Sequence, residues 1–358
     1  MLRQITIILV AAFAAKFKAP LAKPSERSRD NPMKTTFTAC LIAVATLLLA
    51  PSAAAQPAGN YPNRPVKIIS PFAPGGATDI LARILAQKLG EVWGQSVIVE
   101  NKAGAGGLIA GTAVARAERD GYTLLLGSVG PMEVLPSLVK KMPYDPEKDF
   151  APIAMLVNVE NVLVVNDRVP VKSIPELIAY GKANPGLLKF GSSGIATTGH
   201  LAGEVFKQQA GVDMLHVPYR GGAPAASALL AGDIDMIFST VPSVVQFVKS
   251  GRLRALAVTA ENQIEILPGV QPIRKLGLPG YRVASWYGLL APAGTATAII
   301  EKIHADVSRI LLMPEVKNAL LEQGWTTVHA PTSLMAEQIK TGIREWKIVI
   351  DKAGLKAE

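Results

Sequence analysis

The segment SPFAPGGATD, residues 70–79, has the residue types that hold an anion in many α/β proteins. It follows the apolar run VKII and precedes ILARILAQKL, so a strand, a glycine-rich turn and a helix start adjoin. Backbone N–H groups at Gly75 and Gly76 would point out of the helix start, where the helix dipole favours negative charge. The segment lacks the lysine of a Walker A loop. It therefore predicts a small, weakly charged anion such as a carboxylate.

Two side chains of this segment have separate expected roles. Phe72 would cover an apolar part of the ligand, and Asp79 would cap free N–H groups in the first helical turn. The alternative interpretation is a tight strand–helix connection with an acidic cap and no ligand. The residues alone leave both interpretations open.

A second segment, GSSGIATTGH (residues 191–200), repeats this arrangement before another predicted helix. Its hydroxyl side chains are Ser192, Ser193, Thr197 and Thr198. It is not a nucleophile elbow, because Gly194 follows Ser193 directly. A serine nucleophile also needs a base, and His200 is the only histidine nearby. A Ser192–His200 hydrolase therefore stays as an alternative to ligand-binding hydroxyls.

Metal and dinucleotide sites find little support in the residue pattern. His200 and Glu204 could face one metal from a predicted helix, but the chain has only four histidines and no paired ligand motif. The segment GAGGLIAG has Ile109 where the dinucleotide fingerprint needs its last glycine. We therefore expect no metal and no cofactor.

The segment VPYRGG, residues 217–222, places an aromatic residue and a cation after a predicted strand. Tyr219 would face the same cleft as the two glycine segments. The guanidinium of Arg220 could pair with a distal carboxylate of a ligand, since its fork matches that geometry. The alternative is an arginine that is solvated or bonded to local carbonyl groups.

The N-terminus predicts export of the protein. Residues 33–55 combine a positive start, an apolar run and small residues at a cleavage position, so we interpret them as a signal peptide cut before Gln56. Residues 1–32 are either a real extension or an early choice of start codon. The single cysteine, Cys40, lies within the signal peptide, so the mature chain has no disulfide.

Composition indicates a globular protein without a nucleic-acid partner. The chain has 358 residues, of which 49% are hydrophobic and 18% charged, enough for two domains and too apolar for disorder. Residues 1–55 hold seven basic and two acidic residues, so their removal lowers the net charge from +9 to +4. That charge is too small to indicate a nucleic-acid-binding face.

Strand and helix patterns alternate along the mature chain and predict an α/β fold of parallel sheets. One unit follows residue 61, a second begins at residue 161, and a final helical segment has no sheet of its own. We expect this segment to return to the first unit, so that the chain crosses between lobes near 158–160 and 282–285. Two crossings make a hinge, and the lobes would close on a ligand in the cleft between them.

Six motifs in sequence order resemble the Bug-type receptors of tripartite tricarboxylate transporters. They are SPFAPGGATD, VENKAGAGG, DGYTLLLGS, GSSGIATTGHLAGE, VPYRGGAPA and SWYGLLAPAGT. The resemblance runs from about residue 61 to the C-terminus. It implies a two-lobed periplasmic binding protein of the Venus flytrap type, with two hinge crossings, no catalysis and a small carboxylate ligand.

The resemblance and the motifs together predict the ligand-binding residues. They are Phe72, Ala73, Gly75, Gly76, Thr78, Asp79, Ser128, Ser192, Ser193, Thr197, Thr198, His200 and Tyr219. Two positions depart from the family pattern. Ala196 stands where the family often has glycine, and Ser239 stands where it often has an acid. The missing acid favours plain or aromatic carboxylates over amino acids.

These inferences combine into one expected organisation and function. We expect residues 1–55 to be the extension and signal peptide, 56–158 and 283–358 to form lobe 1, and 159–282 to form lobe 2. The protein would be a monomeric periplasmic receptor that delivers its ligand to the membrane subunits of the transporter. The alternatives are a secreted α/β hydrolase and a receptor that signals to a sensor.

Overall fold

The structure is a computed structural model and describes residues 58–355. The predicted extension and signal peptide therefore lie outside the described residues. Within 58–355, no helix combines the length and the apolar character that crossing a bilayer requires.

Eleven strands lie within the described part of the chain. They are β1 (Val66–Ser70), β2 (Val97–Asn101), β3 (Thr123–Ser128), β4 (Phe150–Val159), β5 (Asn161–Val165), β6 (Leu188–Ser192), β7 (Met214–Pro218), β8 (Met236–Thr240), β9 (Arg254–Val258), β10 (Ser285–Pro292) and β11 (Thr326–Thr327).

The same residues contain ten α-helices. They are α1 (Ala77–Trp93), α2 (Leu108–Ala115), α3 (Leu135–Leu138), α4 (Ile174–Ala183), α5 (Thr198–Ala210), α6 (Gly222–Ala231), α7 (Val245–Lys249), α8 (Thr297–Leu312), α9 (Pro314–Leu321) and α10 (Thr332–Lys352). A π-helical turn, Gly130–Val134, joins β3 to α3.

The strands form two sheets, and each sheet with its helices makes one lobe. Lobe 1 has the strand order β11-β4-β10-β3-β1-β2, and lobe 2 has the order β7-β6-β8-β5-β9. Each lobe has its own apolar core, and a further cluster includes Leu201 of lobe 2 together with Met132 and Ile339 of lobe 1. The two-lobed α/β fold predicted from the sequence is thus confirmed.

The chain passes between the lobes twice. It leaves lobe 1 at the end of β4 and starts β5 in lobe 2 two residues later, and it returns through β10. Strand β10 pairs with β3 and β4, so the C-terminal segment joins the first sheet. The residue bounds given above for the lobes stay a prediction.

Three local features differ from the sequence-based expectation. Both sheets are mixed rather than parallel, because β10 runs antiparallel to β3 and β4, and β5 runs antiparallel to β8 and β9. The sequence pattern does not predict strand β4, since Pro152 interrupts its apolar run. The segment GLIAGTAVARAERDG predicts a helix that Gly121 ends, but helix α2 ends at Ala115, where the chain turns polar.

The lobes meet through backbone at positions where glycine leaves room. A Cβ atom at Gly106 in lobe 1 would overlap the carbonyl oxygen of Ile195 in lobe 2. A Cβ atom at Gly76 would lie 3.5 Å from the backbone nitrogen of Gly222. The N–H of Ala73 donates a hydrogen bond of 2.9 Å across the cleft to the carbonyl of Arg220. The structure is therefore in a closed conformation.

The carboxyl group of Glu133 ties the C-terminal helix to lobe 1. Its oxygens accept hydrogen bonds from Trp286 Nε1 at 2.6 Å, from Trp346 Nε1 at 3.1 Å and from Gln338 Nε2 at 3.3 Å. Glu133 is 1% exposed and has no cation beside it among the described residues. Burial raises its pKa to about 7, with a further contribution from Glu345, despite the three N–H donors.

The raised pKa of Glu133 predicts a pH-dependent stability. Between pH 4.5 and 7 the folded state binds more protons at this group than the unfolded state, so stability falls as pH rises through that window. The free energy of unfolding of Glu133→Gln minus that of the wild type should therefore rise by up to about 3 kcal/mol between pH 4.5 and pH 8. Urea unfolding at both pH values measures the difference. Glu301→Gln, on the exposed face of α8, is the control. If the free energy of unfolding of Glu133→Gln differed from that of the wild type by the same amount at both pH values, the prediction would be contradicted.

A matched pair of glycines tests whether backbone contact limits closure. Gly94 and Gly106 have the same left-handed conformation, with φ of 62° at both, so alanine brings similar backbone strain of about 1 kcal/mol. A Cβ atom at Gly94 meets open space, whereas one at Gly106 meets lobe 2. Gly106→Ala should hold the lobes apart and raise the radius of gyration in small-angle X-ray scattering. The same radius in both variants would disprove this limit on closure.

Candidate functional site

A small cavity, the inner chamber, lies between the lobes at the carboxyl ends of β1, β3, β6 and β8. Its volume is about 30 Å³, which is room for one or two water molecules. The lining residues are Phe72, Gly76, Ala77, Thr78, Ser128, Gly130, Asn161, Ser193, Thr197, Thr198, Gly199, Gly222, Thr240, Ser243, Ser285 and Tyr287. All of them belong to the described range, and none carries a charged side chain.

Three helices begin at the inner chamber. Gly76 is the N-cap of α1, Thr197 is the N-cap of α5, and Gly222 is the first residue of α6. The first N–H groups of a helix have no partner within the helix and carry partial positive charge. Three such ends at one uncharged cavity, with hydroxyl groups between them, form an environment that favours an anion.

The loop before α1 is held in shape by Asp79, which does not line the chamber. The Asp79 carboxylate accepts hydrogen bonds from Gly75 N–H at 3.0 Å, from Arg83 Nε at 2.9 Å and from Asn101 Nδ2 at 3.0 Å. Burial acts to raise the pKa of this carboxyl group, but the hydrogen bonds, chiefly that from Arg83, hold it below its usual value. Asp79 is therefore charged and already satisfied, so it shapes the loop rather than repelling an anion.

The loop before α5 is fixed by a network behind the chamber. Ser192 Oγ donates to the carbonyl of Gly194 at 3.1 Å, and it lies 2.7 Å from His216 Nε2. The N–H of Ala196 donates to His200 Nδ1 at 3.2 Å. Ala196 has a φ of +64°, a left-handed conformation that glycine adopts more easily. The network therefore holds a strained turn in place.

Both histidines of this network are neutral at physiological pH. Their rings stack with centroids 4.1 Å apart. Burial lowers the pKa of His200 to about 4 and that of His216 to about 3, and the neighbouring positive charges act in the same direction. The site therefore carries no histidine charge toward a ligand.

The structure brings seven of the predicted ligand residues to the inner chamber and places six elsewhere. Those on the chamber are Phe72, Gly76, Thr78, Ser128, Ser193, Thr197 and Thr198. Those that do not line it are Ala73, Gly75, Asp79, Ser192, His200 and Tyr219. Asp79, Ser192 and His200 support the loops from behind. Whether any of the thirteen binds a ligand stays a prediction.

Sequence reasoning missed the wall formed by the crossing strands. Asn161 and Thr240 begin and end paired strands of lobe 2, while Ser285 and Tyr287 lie on β10. Asn161 is 1% exposed, and its Nδ2 donates to Thr198 Oγ1 at 3.2 Å. The signal was available for Asn161, Ser285 and Tyr287, which adjoin the two predicted crossings, whereas Thr240 reaches the chamber through the pairing of β8 with β5.

A larger cavity of about 710 Å³ adjoins the crossings but has a different chemistry. It is lined by Glu160, Glu261, Glu265 and Arg282, among others, and no helix begins there. Burial, with a contribution from Glu261, raises the pKa of Glu160 to about 7. The acidic residues that line this larger cavity do not suit an anion. Within 58–355, no group of three or more His, Cys, Asp or Glu residues is placed to hold a metal ion.

Sequence comparison identifies relatives over most of the chain. Residues 81–355 match the tripartite tricarboxylate transporter family receptor. The BugT protein of Bordetella pertussis is 36% identical over 319 residues, which cover 88% of this chain and 98% of that protein. A protein of Pseudomonas sp. strain P51 is 37% identical over 318 residues, covering 88% of this chain and 94% of the relative.

Solved structures agree with this assignment. The periplasmic binding protein BugD is 34% identical and superposes with a TM-score of 0.81, covering 83% of this chain and all of BugD. The R. palustris protein Rpa4515 with adipate is 35% identical, with the same TM-score and the same coverage. MatC of Rhodopseudomonas palustris with bound malate is 31% identical with a TM-score of 0.78, covering 81% and 100%. The chain therefore belongs to the Bug-type receptor family of tripartite tricarboxylate transporters, a family of periplasmic binding proteins.

Proposed function

We propose that this protein captures a small carboxylate in the inner chamber and delivers it to the membrane subunits of a tripartite tricarboxylate transporter. The observation that carries the proposal is the meeting of three helix N-termini at one uncharged cavity. Each hydrogen bond from these groups to a carboxylate would contribute about 1.5–3 kcal/mol. The adipate-bound and malate-bound relatives support the same ligand class.

The lining favours a carboxylate over more highly charged anions and over cations. No lysine or arginine lines the inner chamber, so a phosphate dianion would bring more charge than the N–H groups and hydroxyls neutralise. No acid lines it either. Burying an unpaired ammonium group is costly. We therefore favour plain or hydroxylated acids over amino acids.

The proposed role is binding without turnover. The contact between Ser192 Oγ and His216 Nε2 resembles a nucleophile and its base, but Ser192 is fully buried and does not line the chamber. Its hydroxyl already bonds to Gly194, and no carboxylate among the described residues orients His216. His200, the base that the sequence suggested, bonds to Ala196 instead. These contacts favour a loop-fixing role over catalysis.

Capture would require movement of the lobes. Residues of both lobes line the inner chamber, so the ligand would enter when the lobes separate and would be enclosed when they close. The predicted signal peptide and the family's periplasmic setting support action in the periplasm. We propose that the protein acts there as a monomer and without a cofactor.

A thermal-shift screen tests the proposed function. Carboxylates of three to eight carbons are compared with the matched alcohols and amines. A bound carboxylate at a hundred times its dissociation constant should add about 2.7 kcal/mol of stability and raise the melting temperature. Neutral or cationic compounds should have no such effect.

The variant Gly76→Val tests whether the stabilisation by carboxylates comes from binding in the inner chamber. A Cβ atom at residue 76 already contacts the nitrogen of Gly222, so the valine methyl groups would block closure and ligand approach. The variant should keep its circular dichroism spectrum and lose the carboxylate response. A full response in the variant, or shifts caused only by amines or alcohols, would refute the proposal.

A further inference from the structure

The cavity of about 710 Å³ at the chain crossings, which we call the hinge cavity, is formed by both lobes. Lobe 2 contributes residues 259–266, lobe 1 contributes residues 324–326, and the crossings contribute Glu160 and residues 282–285. A Cβ atom at Gly324 would lie 2.8 Å from Ile266 Cγ2, so the two lobes touch beside this cavity. The shape of the hinge cavity therefore depends on how far the lobes are closed.

The hinge cavity adjoins the inner chamber across the strands that pass between the lobes. Ser285 lines both cavities. Glu160 of the hinge cavity directly precedes Asn161 of the inner chamber in the first crossing. The ring of Trp325 in the hinge cavity meets the ring of Tyr287 in the inner chamber edge to face, with centroids 6.5 Å apart. The two cavities therefore share a wall.

The charged groups that line the hinge cavity leave carboxylates without partners. Three glutamates and one arginine line it, and Arg282 Nε pairs with Glu261 Oε1 at 3.2 Å. Within 58–355, neither Glu160 nor Glu265 forms an ion pair. Glu160 Oε2 is buried, and no described residue makes a hydrogen bond to it. Because an unpaired buried carboxylate is costly, the hinge cavity favours a positively charged ligand.

A second unpaired polar group belongs to the same wall. Trp325 is 1% exposed and lines the hinge cavity, and its Nε1–H finds no acceptor among the described residues. The other three tryptophans of the chain each donate this N–H to a carboxylate. An indole N–H can only donate, so it needs an acceptor such as a hydroxyl oxygen. The wall thus combines one unpaired acceptor with one unpaired donor.

We propose that the hinge cavity is a second ligand site, that its ligand is an organic amine carrying a hydroxyl group, and that this ligand favours the closed lobes. The ammonium group pairs with Glu160, and the hydroxyl oxygen accepts the Trp325 N–H. A volume of about 710 Å³ suits a small organic molecule. A ligand that fits the closed shape binds the closed conformation more tightly, so it shifts the lobes toward closure.

This site goes beyond the proposed function, and only its effect on carboxylate binding rests on that function. Carboxylate binding and occupancy of the hinge cavity both favour closure. Each ligand should therefore tighten the binding of the other, since such coupling is reciprocal.

The indole signals in proton–nitrogen NMR spectra test the site directly, and Trp325→Phe identifies the signal of Trp325. The probes are the linear four-carbon amino alcohol, amine and diol. The amino alcohol should shift the Trp325 signal to saturation and leave the other three indole signals in place. The amine should bind about tenfold more weakly, because it leaves the Trp325 N–H unpaired, so simple amines remain controls in the thermal-shift screen. The diol should not bind.

A Trp325 signal that the amino alcohol leaves in place, or that the diol shifts equally, would overturn the site. Calorimetry on Trp325→Phe adds a second readout. In this variant the amino alcohol and the amine should bind with the same affinity, because the donor that distinguishes them is gone. A retained preference for the amino alcohol would overturn the role of Trp325.

The variant Glu160→Gln tests the ammonium contact. It keeps the size of the side chain, removes its charge, and should weaken binding of the amino alcohol about tenfold or more. Glu322→Gln is the control, since Glu322 is exposed and follows Leu321 of the cavity wall without lining the cavity itself. It should bind as the wild type does. Equal affinities of Glu160→Gln and the wild type would refute the pairing.

The pH dependence separates this pairing from a structural role of Glu160. Burial, with a contribution from Glu261, raises the pKa of Glu160 to about 7, and Glu265 and Arg282 are the other charged groups of the hinge cavity. An ammonium group pairs with the charged carboxylate, so the wild-type affinity should rise by up to about tenfold between pH 6 and pH 8. Glu160→Gln should lack this rise. A wild-type affinity that is the same at both pH values would contradict the assignment.

Calorimetry with a carboxylate from the thermal-shift screen tests the coupling to closure. With the hinge cavity saturated by the amino alcohol, the carboxylate should bind about fivefold more tightly or better. In Glu160→Gln the amino alcohol should no longer produce this gain. An unchanged carboxylate affinity in the wild type would overturn the effect on closure. If no carboxylate binds at all, the proposed function fails, while the indole titration still decides whether the hinge cavity is a site.

Discussion

The close approach of backbone to backbone across the cleft is the constraint on which the rest of the structure depends. Gly76 lies against Gly222, Gly106 against Ile195, and Ala73 bonds to Arg220. Side chains at these glycines would keep the lobes apart. Because glycine has no side chain, the starts of α1, α5 and α6 converge. Their partial charges, which are weak individually, then act together on one small volume. A site built from helix ends needs no charged side chain, but it forms only when the lobes are closed.

Such a site also needs rigid loops, and the buried polar residues behind the chamber provide them. Asp79 and its three donors fix the first loop, while Ser192, His200 and His216 fix the second. These residue types usually suggest acid–base chemistry. Here their hydrogen bonds are already satisfied within the protein, and burial keeps both histidines uncharged. The residues that look most reactive in the sequence therefore act on the shape of the loops.

Much of the fold and part of the site could be predicted from the sequence. Apolar runs and glycine-rich turns locate β1, α1, β6 and α5, because local pattern determines them. The antiparallel insertion of β10 could not be predicted, since it depends on contacts with β3 and β4 far away in the chain. Likewise Thr240 and Ser243 reach the chamber through the tertiary fold, and none of the six motifs contains them. Asp79 and His200 were predicted to contact the ligand because they lie beside the glycine-rich turns in the sequence. Neither lines the inner chamber, since proximity in sequence does not show which way a side chain faces.

A crystal structure of the protein with a bound carboxylate tests the central claim most directly. The account predicts a carboxylate in the inner chamber whose oxygens accept hydrogen bonds from N–H groups at the starts of α1, α5 and α6. That carboxylate would have no lysine, arginine or histidine side chain in contact with it. A carboxylate paired with a charged side chain at another site, with the inner chamber unchanged in volume, would contradict the account.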